Sequence, residues 1–595
     1  MTSESEKKVV VIGGGPAGLT AAYQLARHNL APVVLEQNDK VGGIACTENY
    51  KGYHFDMGGH RFFTKAEDVK RLWDEILGDD FLRRPRLSRI FYRGRFFYYP
   101  LKIINALFGL GIGQAILIIL SYVKWQIFPY KQEITFEHWV TNRFGKRLFE
   151  IFFKTYTEKV WGIPCSELRA EWAAQRIKDL SLKSALISVF VKPRDAITSL
   201  IEEFDYPRLG PGMLWNRVKE RIERDGGAVH LNSPVTKIHR TGSRIDYVVA
   251  SGNGDGETIV RGTDFISSMP VSEFIKKLEP VPAPVLDAAN KLAYRDFLIV
   301  CLIVNKPNLF PDNWIYIHSP NVRVGRIQNF KNWSQDMVPD VTKTSLGLEY
   351  FCTEGDDIWS TPDHELVEQA RKELEQIGLA HSSDVVDGCV FRVPKAYPVY
   401  DSSYRDCLRV IQEFLGGLEN FQTIGRNGLH RYNNQDHSMI TGMLAVRNVV
   451  FGEKNDLWAV NSDLRYQEEI HSDEKEPEDK KFADTITRVF PKLDPVSFGL
   501  SAGITGSLGI FIATLFMLIN GNETLSSYAG LLSQFLPGFS VSWRGVLLGM
   551  LDMFIFGFAF GSMAAYCRNL IVYASARVIH QDIELQLLQR LFDFD

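Results

Sequence analysis

The sequence predicts an α/β protein that ends in a pair of transmembrane helices. Two observations carry this prediction. Residues 8–35 show a strand–turn–helix–strand pattern, and two long apolar runs follow a charged linker near the C-terminus. At 595 residues the chain is also too long for one hydrophobic core, so we expect two or three structural units.

The N-terminal pattern is that of a βαβ unit. Residues 8–12 form a short β-branched run, as expected of a buried parallel strand. Residues 13–18 predict a turn, residues 19–28 have helical periodicity, and residues 31–35 predict a second strand that ends at Glu36.

Later segments are predicted to return to the same sheet. A helix at 214–224, a strand at 228–231 and a short strand at 264–268 continue the α/β pattern. We assign to one discontinuous domain residues 1–65, 205–270 and 420–465. Residues 66–204 and 271–419 are assigned to a second domain of helices and sheet. Within it, the apolar run at 106–122 is more typical of a buried helix or an interfacial segment than of a membrane span.

A membrane domain is predicted at residues 483–595, after a charged linker at 466–482. The runs at about 498–520 and 545–567 each match the roughly 20 residues that cross a bilayer, and only Asp552 interrupts them with a charge. A single run of this kind could be a core helix, but two after a linker favour a transmembrane hairpin. Gly557 and Gly561 have the spacing of a close helix-packing face.

The charges around this hairpin predict its orientation. Arg488, Lys492, Arg568 and Arg577 flank its outer ends, whereas the connecting loop carries only Arg544. The positive-inside rule therefore predicts that both ends of the hairpin, and the N-terminal domain, lie on the cytoplasmic side of the membrane. We expect this membrane to be a bacterial inner membrane. The N-terminus shows no signal peptide, which fits this orientation.

Composition excludes several other functions. Lys and Arg total 67 against 71 Asp and Glu, so a formal net charge of −4 gives no sign of nucleic-acid binding. The seven cysteines form no CxxC pair, so we expect no metal site, and their odd number fits a reducing compartment.

The turn at 13–18 carries the first chemical motif, G-x-G-x-x-G. Gly13 makes the tight turn, Gly15 lets the backbone approach a pyrophosphate, and Gly18 allows close helix–strand packing. The following helix N-terminus faces the phosphates, and Glu36 lies where a carboxylate would bind ribose hydroxyls. An ordinary glycine turn would not explain the flanking strand, helix and carboxylate together.

Two further patterns identify the dinucleotide. Gly42-Gly43 follows Glu36 closely, and Phe55-Asp56-Met57-Gly58-Gly59-His60 comes next. This extended pattern resembles the amine-oxidase-like flavoproteins, which share the glutathione-reductase-type FAD fold. A late segment from Gly425-Arg426 to Ser438 is similar to their third FAD element, with Gln435 where a Met is usual. The resemblance implies FAD as cofactor, bound by Gly13, Gly15, Pro16, Ala17, Gly18, Glu36, Gln37, Gly42, Gly43, Gly58, Gly59, His60, Val235, Gly425, Arg426, Gln435, Asp436 and Ser438.

Within that superfamily the substrate side resembles UDP-galactopyranose mutase. Tyr156 and Trp161 lie in a segment similar to the mutase pattern Tyr-Thr-x-Lys-x-Trp-Gly. Arg176 and Arg326 lie in segments similar to those whose arginines clamp the diphosphate, a task that suits the planar fork of guanidinium. Tyr397 and Tyr432 match later mutase segments. The resemblance implies substrate contacts from these six residues and catalytic roles for His60, Arg176 and Arg326.

Three hypotheses follow. The first is a mutase-type isomerase in glycan biosynthesis, in which reduced flavin is a covalent catalyst without net redox change. Such an enzyme would act on a nucleotide sugar or a polyprenyl-phosphate sugar, beside glycan-assembly membrane proteins. The second is an oxidase or desaturase of a lipid-soluble substrate, which the membrane hairpin also suits. The third is a membrane scaffold that keeps FAD as a structural group. The mutase's central substrate-loop motif is absent from the sequence, which leaves the substrate open.

Overall fold

The computed structural model describes residues 7–99, 103–170, 199–200, 203–252, 256–461, 469–470, 493–520, 536 and 539–592. The chain divides into two compact units, Met1–His471 and Ser472–Asp595.

A five-stranded parallel sheet forms the centre of the first unit. Its strands, in spatial order, are Ala228–His230, Val33–Leu35, Val9–Ile12, Asp264–Ser267 and Phe421–Thr423. All four residues of the central strand are buried, which explains its continuous apolar run. Three separated stretches of chain therefore meet in one sheet, as the sequence pattern predicted. The domain boundaries drawn from the sequence remain a proposal.

The helices that cover this sheet approach one another closely. They are Pro16–Arg27, Glu67–Leu77, Pro211–Arg224 and Gln435–Phe451. A Cβ on Gly442 would lie 2.5 Å from the Ala17 carbonyl oxygen, so only glycine lets the last helix pack on the first. This contact brings a segment more than 400 residues along the chain to the first turn of the fold.

A seven-stranded sheet dominates the rest of the first unit. Its strands, in spatial order, are Val385–Pro398, Tyr294–Val304, Thr344–Cys352, Arg326–Asn329, Trp314–Ile317, Ser88–Tyr92 and Arg95–Tyr98. A four-stranded sheet contains Glu257–Arg261, Arg244–Ser251, Val235–Thr241 and Leu278–Glu279. Two-stranded pairs join Thr47–Tyr50 to Tyr53–Asp56, Phe81–Pro85 to Glu203–Pro207, and Ser199–Leu200 to Glu469–Ile470.

Helices surround these sheets. They are Ile103–Leu110, Ile112–Ile127, Phe136–Phe144, Lys146–Phe149, Thr155–Trp161, Val271–Lys277, Ala283–Lys291, Phe330–Trp333, Asp357–Ser360, Asp363–Gln376, Tyr404–Gly416 and Gly425–Gly428. The apolar run at 106–122 is thus not one helix, because Gly111 adopts a φ of +88° and separates two. A π-helical turn, Glu150–Lys154, leads directly into the helix that carries Tyr156 and Trp161.

The second unit contains two long helices, Pro495–Asn520 and Trp543–Phe592. The segments Pro495–Ile519 and Trp543–Asn569 are long and apolar enough to cross a membrane. The predicted glycine face is confirmed: a Cβ on Gly557 would lie 2.9 Å from the Gly503 Cα, and one on Gly561 would lie 3.1 Å from the Gly499 Cα. Asp552 is half-buried. Arg488 and Lys492 lie outside the described residues.

Candidate functional site

Two glycine turns form a single cradle at the carboxyl end of the central strands. The Gly42 N–H donates to the Gly14 carbonyl at 2.8 Å, which fixes the second turn against the first. A Cβ on Gly43 would lie 3.3 Å from the Gly15 Cα, whereas a Cβ on Gly15 would meet nothing closer than 3.8 Å. Gly18 is different, since its Cβ would lie 2.0 Å from the Gly13 carbonyl oxygen. Gly15 therefore leaves open space above the helix N-terminus, and Gly18 serves packing.

Glu36 ends the second strand beside this cradle. Its carboxylate accepts the Gly14 N–H at 2.6 Å and the Asn38 N–H at 2.9 Å. Burial raises the pKa of Glu36, and these backbone donors oppose the shift. The Ser233 N–H donates to the Glu36 carbonyl at 2.8 Å, so the loop leading to Val235 lies beside this carboxylate. Gln37, the next residue, is exposed.

The late segment closes the cradle from the other side. Gly425 adopts a φ of +81°, and its Cβ would lie 3.0 Å from the Ala17 Cβ. The helix Gln435–Phe451 then follows, with Asn434 as its N-cap. The Gln435 side-chain oxygen accepts the Trp215 indole N–H at 3.1 Å, Asp436 is half-buried and Ser438 is buried. This helix N-terminus provides partial positive charge at the cradle.

The motif that ends in His60 lies against the strand that carries Arg326. A Cβ on Gly58 would lie 3.7 Å from the Arg326 Nη2, and one on Gly59 would lie 2.9 Å from the Gln328 Nε2. His60 Nε2 lies 3.0 Å from the Met57 carbonyl oxygen, so this nitrogen carries the proton. Burial lowers the pKa of His60 to about 4, with the charges of Arg426 and Arg326 adding to the shift. His60 is therefore neutral near pH 7.

Arg326 is held by a carboxylate. Its Nε lies 3.0 Å from both oxygens of Glu349 and its Nη2 lies 2.5 Å from one of them. The two residues face each other in register on neighbouring strands, and the Glu349 side chain is 0% exposed. Gln328 Nε2 donates to Glu349 at 2.9 Å. Burial alone would lower the pKa of Arg326, but the Glu349 charge outweighs it and raises that pKa well above its usual value.

Tyr156 forms one wall beside Arg326. Its ring stacks on His318 at 5.0 Å and meets Tyr316 edge-on at 5.3 Å. Lys159, one helical turn later, donates from Nζ to the Ser319 carbonyl at 2.8 Å and to the Val324 carbonyl at 3.1 Å. Burial lowers the pKa of Lys159 to about 8. Lys159 thus fixes the backbone on which His318 and Tyr316 stand.

A second aromatic wall faces the late segment. Tyr397 and Tyr432 stack at 5.6 Å, and Trp161 lies 6.4 Å from each. Arg426 lies over the Tyr432 ring at 4.6 Å and over Tyr397 at 5.8 Å. Its Nε donates to the Asn433 carbonyl at 2.8 Å, which fixes its position. Trp161 is only 2% exposed, so it supports the wall from behind, whereas Tyr432 and Arg426 remain half-buried.

Cations converge between these walls. The charges of Arg326, Arg61 and Arg86 all act on the Tyr316 hydroxyl, and those of Arg326 and Arg426 act on Tyr397. Arg61 and Arg86 both lie over the Trp314 ring, at 5.8 and 5.7 Å. Glu349 ion-pairs with Arg326 and holds it in this position. Such an arrangement favours an anionic ligand with an aromatic or planar part.

The structure brings together most of the predicted site. His60, Tyr156, Trp161, Arg326, Tyr397 and Tyr432 lie in one cluster. Arg176 lies outside the described residues. Sequence analysis missed Glu349, Tyr316 and His318. For Glu349 a signal existed, because a single carboxylate stands in the otherwise apolar run Thr344–Cys352, where every residue but one is buried.

The cradle fits the expected cofactor. Gly15 and Gly43 present backbone to open space at a helix N-terminus, which suits a pyrophosphate, and Glu36 lies at the end of the next strand, which suits a ribose. The helix from Gln435 and the segment around His60 would border the isoalloxazine ring. No group of His, Cys, Asp and Glu suited to a metal ion occurs among the described residues.

Comparison with known proteins identifies the same cofactor class. The family described as flavin containing amine oxidoreductase matches residues 16–426. A 15-cis-phytoene desaturase of Narcissus pseudonarcissus is 24% identical over 408 residues, which are 63% of this chain and 66% of that protein. The match thus falls just short of two thirds of that relative's length.

Solved structures share the fold. The crystal structure of reduced UDP-galactopyranose mutase superposes with a TM-score of 0.68 at 23% identity, covering 78% of this chain and 99% of that one. A protein from Exiguobacterium sp. 255-15, named after protoporphyrinogen oxidase, gives a TM-score of 0.59 at 16% identity and covers 76% of this chain and 100% of its own. These likenesses confirm the predicted FAD-type α/β fold.

Proposed function

Because this chain belongs to the flavin containing amine oxidoreductase family and is an FAD-dependent enzyme, we propose that it is a membrane-anchored flavoenzyme of the UDP-galactopyranose mutase type. Its substrate in this proposal is a nucleotide sugar or a polyprenyl-phosphate sugar in glycan biosynthesis. The observation that carries the proposal is the convergence of four arginines and a set of tyrosines on one cluster of half-buried residues.

Electrostatics is the reason why this cluster favours a phosphorylated substrate. Burying guanidinium groups costs free energy unless an anion compensates them. Glu349 contacts Arg326 through Nε and Nη2, and a phosphate or diphosphate is the kind of anion that the arginines converging here would bind. A hydrocarbon substrate would offer these arginines no anionic group to bind.

Each side chain has a stated task in this proposal. Arg326, with Arg176, holds the phosphate of the leaving group, and Tyr156 and Tyr432 bind the face of the attached nucleoside or sugar. Trp161 and Tyr397 support these contacts from behind. Neutral His60 donates Nε2–H to the Met57 carbonyl and places an uncharged ring beside the reacting part of the site. FAD, when bound and reduced, supplies a nucleophilic ring nitrogen, so the reaction needs no net redox change.

The C-terminal helices extend the proposal to the membrane. Two segments long and apolar enough to span a bilayer support an anchor, and the predicted charge asymmetry supports a cytoplasmic catalytic unit in a bacterial inner membrane. An enzyme held there would meet polyprenyl-linked sugars and glycan-assembly proteins, which we propose as its partners.

A second candidate function is the oxidation or desaturation of a lipid-soluble substrate. The match to a phytoene desaturase favours it, as does a membrane anchor. The arginines of the cluster count against it, because oxidation of a hydrocarbon needs no anion-binding groups.

One experiment separates the two. Full-length enzyme, reduced and kept without an electron acceptor, would be incubated with UDP-hexoses and with a polyprenyl-phosphate hexose, and the ring form would be followed by NMR. We expect interconversion of ring forms in one of these substrates and none in a paired oxidised sample. Turnover of 15-cis-phytoene with an added acceptor, and no reaction of any sugar phosphate, would replace the mutase proposal by the oxidoreductase one.

A further inference from the structure

The helix Ile112–Ile127 has an apolar face that is exposed among the residues the structure describes. Ile116, Ile119, Leu120, Val123 and Ile127 recur at helical spacing and fall on one side. Leu120 is 60% exposed and Ile127 is 64% exposed. Phe128, directly after the helix, is 68% exposed and extends the face. We call this set, with Leu117, the apolar stripe.

The opposite side of the same helix is attached to the protein. Ile118 is fully buried, and Ser121 Oγ accepts the Arg147 N–H at 3.1 Å. Gln114 Oε1 accepts from the Arg147 guanidinium at 2.9 Å. The helix is therefore fixed in orientation, with the apolar stripe on the side away from these contacts.

A basic recess opens at the N-terminal end of this helix. Its volume is about 380 Å³, and Arg93, Arg95 and Arg147 line it together with Gln114 and Glu150. Three guanidiniums against one carboxylate make it attractive to an anion. None of the residues to which the proposed function gives a task lines the recess.

Aromatic and basic residues border the other end of the stripe. Trp125 and Tyr130 stack at 4.6 Å, and Lys124 and Lys131 are exposed. Tryptophan and tyrosine rings are typical of the boundary between lipid and water, and lysines there attract anionic head groups. An apolar stripe with basic groups at both ends is the pattern of an interfacial helix.

We propose that the apolar stripe inserts into the surface of an anionic phospholipid bilayer and that the Arg93–Arg95–Arg147 recess binds a phospholipid head group. A second copy of the chain would need a complementary apolar surface, whereas a bilayer matches both the stripe and its basic borders. The same chain carries two candidate membrane spans, which would keep a bilayer within reach at high effective concentration. This surface is independent of the substrate that the enzyme uses.

A depth measurement tests the insertion. Full-length protein with Cys567→Ser, which removes an exposed thiol, would carry an environment-sensitive fluorophore at Leu120→Cys in nanodiscs of phosphatidylcholine and phosphatidylglycerol. A matched label at Ile259→Cys, an exposed apolar position on the strand Glu257–Arg261, is the control. Brominated lipid should quench the label at 120 and leave the label at 259 unchanged. A label at 120 that stays unquenched, whether water-exposed or covered by a second copy, would overturn the proposal.

Removal of arginines from the recess tests whether it binds a phospholipid head group. The double variant Arg93→Ala/Arg95→Ala should lower the ratio of quenched to unquenched label by about five- to thirtyfold in discs rich in phosphatidylglycerol. Each basic group near an anionic surface raises membrane affinity several-fold, and this variant removes two of them. Arg224→Ala, at an exposed arginine of another helix, should change nothing. Equal quenching with and without phosphatidylglycerol, or with and without the two arginines, would refute head-group binding in the recess.

Discussion

Arg326 offers the sharpest test of the phosphate-binding hypothesis. Its guanidinium contacts Glu349 through Nε and Nη2, so Nη1 is the part left to meet a ligand. Losing a charge-assisted contact to phosphate in a partly desolvated site costs roughly 2–4 kcal/mol. Affinity for UDP or a polyprenyl phosphate should therefore fall by about thirty- to a thousandfold in Arg326→Met. Arg326→Lys should recover only part of this, because an ammonium group lacks the fork.

Arg326→Met also affects stability, and this effect must be separated from the effect on ligand binding. Removing Arg326 leaves the fully buried Glu349 carboxylate without its partner, which destabilises a protein by about 3–5 kcal/mol. Arg326→Met combined with Glu349→Gln removes both charges and should recover most of the thermal stability. If Arg326 binds the ligand, the double variant remains weak in binding although it is stable.

The assay is calorimetric titration of each variant with UDP and with a polyprenyl phosphate, alongside flavin absorbance and melting temperature. A matched pair controls for the loss of any arginine–carboxylate contact. Arg89, on the strand Ser88–Tyr92 of the same sheet, forms a bidentate pair with Asp312 at 2.9 and 2.6 Å, and Asp312 is 0% exposed. Arg89→Met with Asp312→Asn should leave affinity unchanged. Wild-type affinity in the Arg326→Met/Glu349→Gln protein, with flavin retained, would refute the clamp and make the oxidoreductase hypothesis the stronger one.

The other predictions concern the cradle, the wall and the hairpin. Gly15→Val should give folded but colourless protein, because the new side chain enters only the space meant for the pyrophosphate. Gly18→Val should fail to fold, since a Cβ there lies 2.0 Å from the Gly13 carbonyl oxygen. Circular dichroism and flavin absorbance distinguish the two outcomes. Burial lowers the pKa of Lys159 from 10.5 to about 8, so the unfolded chain binds more protons between these values and stability should rise with pH across that window, by up to about 3 kcal/mol. Urea unfolding of Lys159→Met should lack this rise, and an identical pH dependence in both proteins would show that the amine is not desolvated. Gly561→Leu should lower the melting temperature of the detergent-solubilised helices without loss of flavin, because the Gly499 Cα lies 3.1 Å from the Cβ position; an unchanged transition would contradict this packing.

Local motifs were predictable because their chemistry is local. The glycines at 13, 15 and 18 specify a turn whose geometry depends on a few neighbours, and the structure places them at the end of the central strand as expected. Tyr397 and Tyr432 were found through family resemblance, since nothing in their own spacing distinguishes a binding ring from a core ring. Their stacking at 5.6 Å depends on the intervening chain, which passes through the helix Tyr404–Gly416 and the strand Phe421–Thr423 before it returns to Tyr397.

Contacts that depend on strand register were not predictable, even where the sequence marks the residue, as it does for the lone carboxylate Glu349 in a buried strand. Glu349 opposes Arg326 because the strands Arg326–Asn329 and Thr344–Cys352 pair antiparallel, and a shift of one residue would turn the carboxylate to the other face. His318 and Tyr316 reach Tyr156 because the strand Trp314–Ile317 pairs with Ser88–Tyr92 on one side and Arg326–Asn329 on the other, and because Lys159 contacts the carbonyls that follow. The environment of the run at 106–122 was not predictable either, because helical spacing cannot tell whether an apolar face meets protein or water.

Charge placement is the strongest argument for choosing between the two chemistries that this fold supports. Arg426 is held over Tyr432 and Tyr397 by its bond to the Asn433 carbonyl, so its position does not depend on a carboxylate. Arg326 is fixed by Glu349 and still leaves one guanidinium nitrogen for a ligand. Groups fixed in this way are preorganised, and a preorganised cation lowers the free energy of an anion that binds or develops beside it. A substrate whose phosphate departs during the reaction would benefit from both arginines, whereas loss of hydride from a hydrocarbon develops positive charge, which the same arginines would oppose.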